Sequence, residues 1–225
     1  MNGLTTLPKG AAMAAILSLA CSLPALAATY VYVSNAEDGD IATYRMQADS
    51  GELQPGPRVK AANVVMPMTA SPDRRFLYAA VRSKPYSVIA YSIDPGSGAL
   101  QLLSTSPLAE SMPYISLDKT GRFLFGASYG GHLISVNAVS RDGHVAAEPV
   151  QVIPTGRNAH SIRTDESNRF VYVTTLGSDE IFQFTFDEKS GRLASNTPAV
   201  VLVEAVNQPA PFRYLARQQI RVRPQ

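Results

Sequence analysis

Phe170-Val171-Tyr172-Val173 is the last of four versions of one short pattern, and its recurrence decides how the chain is read. The others are Tyr30-Val31-Tyr32-Val33, Phe76-Leu77-Tyr78-Ala79 and Phe123-Leu124-Phe125-Gly126. Their third positions, 32, 78, 125 and 172, stand 46, 47 and 47 residues apart. The glycine of a polar hairpin is a second marker with the same period. Gly51, Gly98, Gly143 and Gly191 close Asp-Ser-Gly, Gly-Ser-Gly, Arg-Asp-Gly and Lys-Ser-Gly turns spaced 47, 45 and 48. Two markers sharing one period indicate a structural repeat.

Within a period the pattern is strand, turn, strand, turn. In the second copy Ser71-Pro72-Asp73-Arg74-Arg75 is a polar turn leading into a strand over Phe76 to Val81. In the next strand, Ser87 to Ile93, Val88, Ala90 and Ser92 alternate with Ile89, Tyr91 and Ile93, as a two-sided strand requires. Asp94-Pro95-Gly96-Ser97-Gly98 then turns the chain into Ala99 to Leu103, and Met66 to Ala70 supplies a fourth strand ahead of the first turn. A repeated four-stranded antiparallel unit of this length is the sequence pattern of a propeller blade. No linker rich in Gly, Ser or Pro separates the copies, and solenoid coils are shorter. The expected fold is therefore all-β, a β-propeller of four-stranded antiparallel blades.

Composition agrees. The chain has 225 residues, 45% of them hydrophobic, with no Trp, 15 Gly and 16 Pro, which suits a globular protein built from short strands. Residues 1–27 read as a cleavable leader: Lys9 precedes the apolar stretch Ala11 to Ala20, and Ala25-Leu26-Ala27 suits a signal peptidase. Pro24 interrupts the stretch, and about twenty apolar residues are needed to span a bilayer, so no stable membrane span is expected after cleavage. An exported, periplasmic or secreted protein is expected. The single cysteine, Cys21, lies in the leader, leaving the mature chain without a disulfide or thiol nucleophile.

Net charge is +2. Of the 20 basic residues, Arg213, Arg217, Arg221 and Arg223 lie in the tail and Lys9 in the leader, leaving 15 in the body against 18 acidic residues. A mildly acidic body gives no electrostatic reason to expect nucleic-acid binding. His132, His144 and His160 are not clustered at ligand spacing and no carboxylates surround them, so neither a metal nor another cofactor is expected.

Several segments together resemble a known family. Met66-Pro67-Met68-Thr69-Ala70-Ser71-Pro72-Asp73, Ala80-Val81-Arg82 followed by Val88-Ile89-Ala90-Tyr91, Gly126-Ala127-Ser128-Tyr129, and Ala159-His160-Ser161 resemble the seven-bladed lactonase family typified by bacterial 6-phosphogluconolactonase. The match runs in register from about Tyr30 to about Val203 and is specific in order and spacing, whereas Ser-Pro-Asp before a strand is a common propeller turn. The resemblance implies hydrolysis of a sugar-acid lactone in the propeller's central funnel, with a small-molecule lactone or sugar acid as partner.

Such chemistry needs a group to activate water, donors for the oxyanion and, for a phosphorylated substrate, a fixed cation. On the resemblance, Arg82 and His160 are the catalytic candidates. Arg82, Tyr129 and His132 are the substrate-binding candidates, although His132 departs from the family pattern, which more often has a small or amide residue there. Arg82 could hold a carboxylate or phosphate bidentately, and the Tyr129 hydroxyl could donate to substrate. The alternatives are a solvated loop Arg, a packing Tyr and a hydrogen-bonded core His. His144 falls in a hairpin. Two further functions stay open: a muconate-lactone cyclase of the same fold, and a non-catalytic exported propeller, since Tyr-Val-Ser-Asn and Tyr-Val-Thr-Thr resemble surface-protein repeats. The natural substrate, the general base and the oligomeric state are not legible.

The repeat body ends near Gln208, and residues 209–225 abandon the pattern. A fifth copy would place its aromatic strand near residue 219, after a Gly-Pro-Arg-His segment and a Ser-Pro-Asp turn; neither is present. Back-translated with freely chosen synonymous codons and read one nucleotide later, the tail gives Pro-Arg-His-Phe-Val-Ile-Ser-Pro-Asp-Asn-Lys-Phe-Val-Tyr-Val-Leu, the missing blade start. The expectation is a frameshift near Gln208. It would leave about four of seven blades, where seven periods need about 330 residues. A truncated, poorly soluble and inactive product is expected; an Arg-rich arm or a natural C-terminal helix are the other readings of the tail.

Overall fold

The computed structural model describes residues 28–203. The leader over 1–27, with Cys21, and the tail over 209–225 lie outside the described residues. The chain folds into consecutive antiparallel sheets. Blade 1 holds β1 (Thr29–Asn35), β2 (Asp40–Met46) and β3 (Leu53–Lys60). Blade 2 holds β4 (Val65–Ala70), β5 (Phe76–Val81), β6 (Ser87–Ile93) and β7 (Leu100–Pro107). Blade 3 holds β8 (Tyr114–Leu117), β9 (Phe123–Ser128), β10 (Leu133–Val139) and β11 (Val145–Pro154). Blade 4 holds β12 (Ala159–Thr164), β13 (Phe170–Thr175), β14 (Glu180–Asp187) and β15 (Arg192–Leu202). Each sheet is a meander, every strand pairing with its sequence neighbour, as short hairpin connections dictate.

One expectation needs correcting. Blade 1 shows three strands, not four. In blades 2 to 4 the innermost strand, β4, β8 or β12, precedes the aromatic strand. In blade 1 the aromatic strand β1 begins at Thr29, at the edge of the described residues, so no described residue precedes it to form that strand.

The inner strands lie side by side, β4 against β8 and β8 against β12, and apolar residues fill each blade boundary. Ile41, Leu77 and Tyr91 lie between blades 1 and 2, Tyr78, Met112 and Leu124 between 2 and 3, and Phe125, Ile162 and Phe184 between 3 and 4. Burial follows position in the row. β9 is buried at every residue and β5 at all but Phe76, because blades cover both their faces. In β13 only Val171, Val173 and Thr175 are buried, alternating with half-buried Phe170 and exposed Tyr172 and Thr174, the period-two mark of a sheet covered on one face.

The repeat's two sequence markers meet across these boundaries. Tyr30 packs on Gly98, Phe76 on Gly143 and Phe123 on Gly191, each an aromatic of one blade against the hairpin glycine of the next. A Cβ on Gly143 would lie 2.5 Å from the Phe76 ring, and its φ is +90°. Glycine is needed there for both reasons. The arginine before the aromatic adds a polar tie: Arg75 Nη2 donates to Arg141 O at 3.3 Å and Arg122 Nη2 to Glu188 O at 2.6 Å.

The turns between first and second strands of blades 2 to 4 are closed by local acceptors. Ser71 Oγ accepts the Phe76 N–H, and the Asp118 and Asp165 carboxylates accept those of Phe123 and Phe170. Hydrogen bonds from Ser71 and then Arg75 hold the Asp73 carboxyl down at about 2. Ser97, Ser140 and Ser190 similarly lower Asp94, Asp142 and Asp187. A carboxyl lowered by folding contributes stability above its unfolded value, about 3.9, and loses it as pH falls through the folded value. Thermal melts across pH are expected to stay level from neutrality to about pH 4 and then to fall steeply towards about pH 2. Constant stability across that lower window would contradict these assignments.

Candidate functional site

Each inner strand begins at one face of the propeller row and ends at the other. The candidate residues all belong to the face where the inner strands begin. Arg82 follows β5 and Tyr129 follows β9, at equivalent places one period apart. His132 is the last residue of the β9–β10 turn and sits in the left-handed region with φ +55°. Gly39 and Asp179 occupy the same place in blades 1 and 4, with φ +64° and +54°, so backbone geometry selects this position and the histidine presents an imidazole from it.

His160 lies within β12, one residue further into the sheet than expected from sequence. The β12–β13 register slips between Ala159 and Ser161, which makes His160 the bulged residue, and a bulge re-aims a side chain out of the ladder.

Three of the four candidates are drawn together by a residue not singled out from sequence. Asn158, at φ +61°, donates its backbone N–H to His132 Nδ1 at 2.9 Å and its side-chain Nδ2 to Tyr129 O at 3.0 Å. Its own carbonyl accepts the Leu176 N–H at 2.9 Å. The Tyr129 and His160 rings meet edge to face, centroids 6.0 Å apart at 79°. Because His132 Nδ1 accepts, its neutral ring carries the proton on Nε2 and presents a donor. His160 has no hydrogen-bond partner on either ring nitrogen among the described residues, which leaves one nitrogen able to accept a proton.

Arg82 stands one blade away. Its backbone N–H donates to Val64 O at 3.1 Å, and its Nε reaches Ser111 Oγ at 3.4 Å. It has no carboxylate partner among the described residues, so its charge faces the site unpaired. Glu110 accepts the Ser111 N–H at 2.8 Å and presses on Gly131, where a Cβ would lie 2.6 Å from Glu110 Cγ. Glu110 therefore joins the Arg82 end of the cluster to the turn that carries His132. Val64 adopts φ +57°, a strained state for a β-branched residue.

His144 lies in the β10–β11 hairpin on the opposite face, 3.7 Å from Asp142, outside the cluster. A cavity of about 270 Å³ also opens on that opposite face, where β4, β8 and β12 end, lined by Thr69, Ser116, Asp118, Lys119, Arg163 and Glu166. Its polar groups are mostly committed: Lys119 pairs with Glu166 at 3.0 Å, Ser116 donates to Ile162 O at 2.6 Å, and Asp118 closes its turn. The cavity and the candidate cluster are thus different places, and the chemistry resides in the cluster. Among the described residues no group of three or more His, Cys, Asp or Glu gathers as metal ligands, and no helix is long and apolar enough to cross a membrane.

Comparison with known proteins points the same way. The model of the lactonase family of seven-bladed β-propellers matches residues 25–208. A 6-phosphogluconolactonase of Enterobacter sp. (strain 638) is 35% identical over 174 residues, 77% of this chain and 51% of that protein. One of Cronobacter sakazakii is 38% identical over 175 residues, 78% of this chain and 51% of that protein. The solved periplasmic gluconolactonase of Pseudomonas aeruginosa superposes with a TM-score of 0.68 at 27% identity, covering 78% of this chain and 55% of that one. The chain spans about half the length of the curated relatives it matches.

Proposed function

The chain belongs to the lactonase family of seven-bladed β-propellers, and from that membership we propose that its blades form part of a site that hydrolyses a sugar-acid lactone. The observation that carries this is the gathering of Tyr129, His132 and His160 around Asn158, on the same face as the uncompensated Arg82.

The chemistry follows from the groups. His160 takes a proton from the water that attacks the lactone carbonyl carbon. The negative oxygen that forms is stabilised by N–H and O–H donors, for which the His132 Nε2–H and the Tyr129 hydroxyl are placed. Arg82 holds the anionic part of the substrate, a carboxylate or a phosphate. Opening the ring then protonates the leaving alkoxide and gives the free acid.

The phosphorylated or unphosphorylated nature of the lactone is the finer question. The 6-phosphogluconolactonase relatives favour a phosphorylated lactone, whereas the leader-like N-terminus and the similarity to a periplasmic gluconolactonase favour an unphosphorylated aldonolactone acted on outside the cytoplasm. We also carry forward the frameshift near Gln208. On that reading the locus encodes further blades in another frame, the restored protein is active and this chain alone is inactive. Sequencing the locus and finding no blade pattern downstream would remove it.

The decisive assay is lactone hydrolysis by the frame-restored protein on 6-phosphogluconolactone and on gluconolactone. Turnover of either supports the proposal; turnover of neither, with binding of one retained, favours a non-catalytic propeller. In the active protein, Arg82→Ala is expected to raise KM for the anionic lactone about 30-fold, the scale of one lost charge-assisted contact. An unchanged KM would assign Arg82 to the solvated loop instead.

A further inference from the structure

We propose that two copies of this chain pair head to tail, blade 4 of each seating on blade 1 of the other, to close a ring of eight blades. The argument starts from the internal boundaries, which all use one device: an aromatic residue packed on the buried hairpin glycine of the following blade. Tyr30, Phe76 and Phe123 pair in this way with Gly98, Gly143 and Gly191. One half-pair remains at each end, Phe170 on blade 4 and Gly51 on blade 1.

Both leftovers are shaped as their partnered equivalents are. Gly51 has φ +71°, and nothing lies within 4 Å of where its Cβ would be. Two residues on, Leu53 is 45% exposed, while Val145 and Leu193, which hold its place in blades 3 and 4, are each 5% exposed. At the other end Tyr172 is 38% exposed and Leu202 72%. The polar tie is also half made. Arg169 lies over the Phe170 ring at 5.4 Å, as Arg75 lies over Phe76, but has no carbonyl acceptor among the described residues. Arg75 finds its acceptor at Arg141 O, two residues before Gly143. The matching residue in blade 1 is Asp49, two before Gly51, whose carbonyl and carboxylate would both suit Arg169.

Each copy thus carries one half of the contact at each end. Such heterologous contacts either close into a ring or run on as a filament. Two copies supply eight blades, within the range of four to eight with which propellers close. The inference goes beyond lactone hydrolysis and does not depend on it.

Sedimentation velocity on the full chain is expected to show a dimer at micromolar concentration. Leu53→Glu, which alters a residue exposed in the single chain, is expected to weaken the dimer at least tenfold without lowering the melting temperature. In a Cys21→Ser background, oxidising a mixture of Phe170→Cys and Ser50→Cys chains is expected to give a covalent heterodimer, while neither variant alone forms one. A monomeric wild type, an open series of larger species, or cross-linking as efficient in the single variants as in the mixture would overturn the closed ring.

Discussion

Asp118→Ala is expected to lower the folding stability by at least about 3 kcal/mol, as removal of a buried, multiply bonded carboxylate should. Asp118 is 1% exposed. Its oxygens accept the backbone N–H groups of Thr120, Arg122 and Phe123 at 2.9, 2.8 and 3.0 Å, and the Thr120 hydroxyl at 2.6 Å. They also accept Asn168 Nδ2 at 3.0 Å, from the corresponding turn of blade 4. Asn168 Oδ1 returns the contact by accepting the Lys119 N–H at 2.9 Å. Alanine would strip the acceptor from several donors at once and break the tie between blades 3 and 4. Asp73, in the equivalent turn of blade 2, is half-exposed and bonds within its own turn, so Asp73→Ala should cost much less. Urea titrations of both variants give the comparison; equal losses would show that the cross-blade tie contributes nothing.

Gly143→Ala should destabilise by about 3 kcal/mol, from two independent causes. The left-handed backbone at φ +90° costs an L-residue about 1–2 kcal/mol. The new methyl must also displace the Phe76 ring, which it would approach to 2.5 Å, and overpacking of this kind costs about 1–3 kcal/mol. Gly51→Ala provides the control, since its φ of +71° carries the first cost while open space around it removes the second. In dilute solution Gly51→Ala is expected to lose about 1 kcal/mol. Losses of similar size at both positions would mean that the aromatic seat adds nothing beyond backbone strain.

The candidate site was readable only where its residues obey the repeat. Arg82 and Tyr129 stand 47 residues apart, so alignment of the copies places both at the end of equivalent strands. His160 was reached through the Ala-His-Ser segment, but its bulge was not, because a register slip depends on how β12 meets β13. Asn158 escaped notice although it joins three candidates. Its partners His132 and Tyr129 lie 26 and 29 residues away in another blade, and no local pattern reports that distance. The signal that could have raised it is its repeat position: Val64, two periods earlier, shares its left-handed backbone.

By itself the sequence determined the blade, its period and its turns, because these rest on interactions within about fifty residues: alternating strands, polar turn acceptors, and glycines where only positive φ fits. The tertiary structure decided what those same residues meet. The aromatic and glycine markers, separate signals along the chain, became one contact between successive blades. Identical strand positions became two-sided in β9 and one-sided in β13 according to their neighbours. The physical reason is that burial and cross-blade hydrogen bonds depend on which surfaces face one another, and a repeat spells the unit many times without stating what covers its first and last copies.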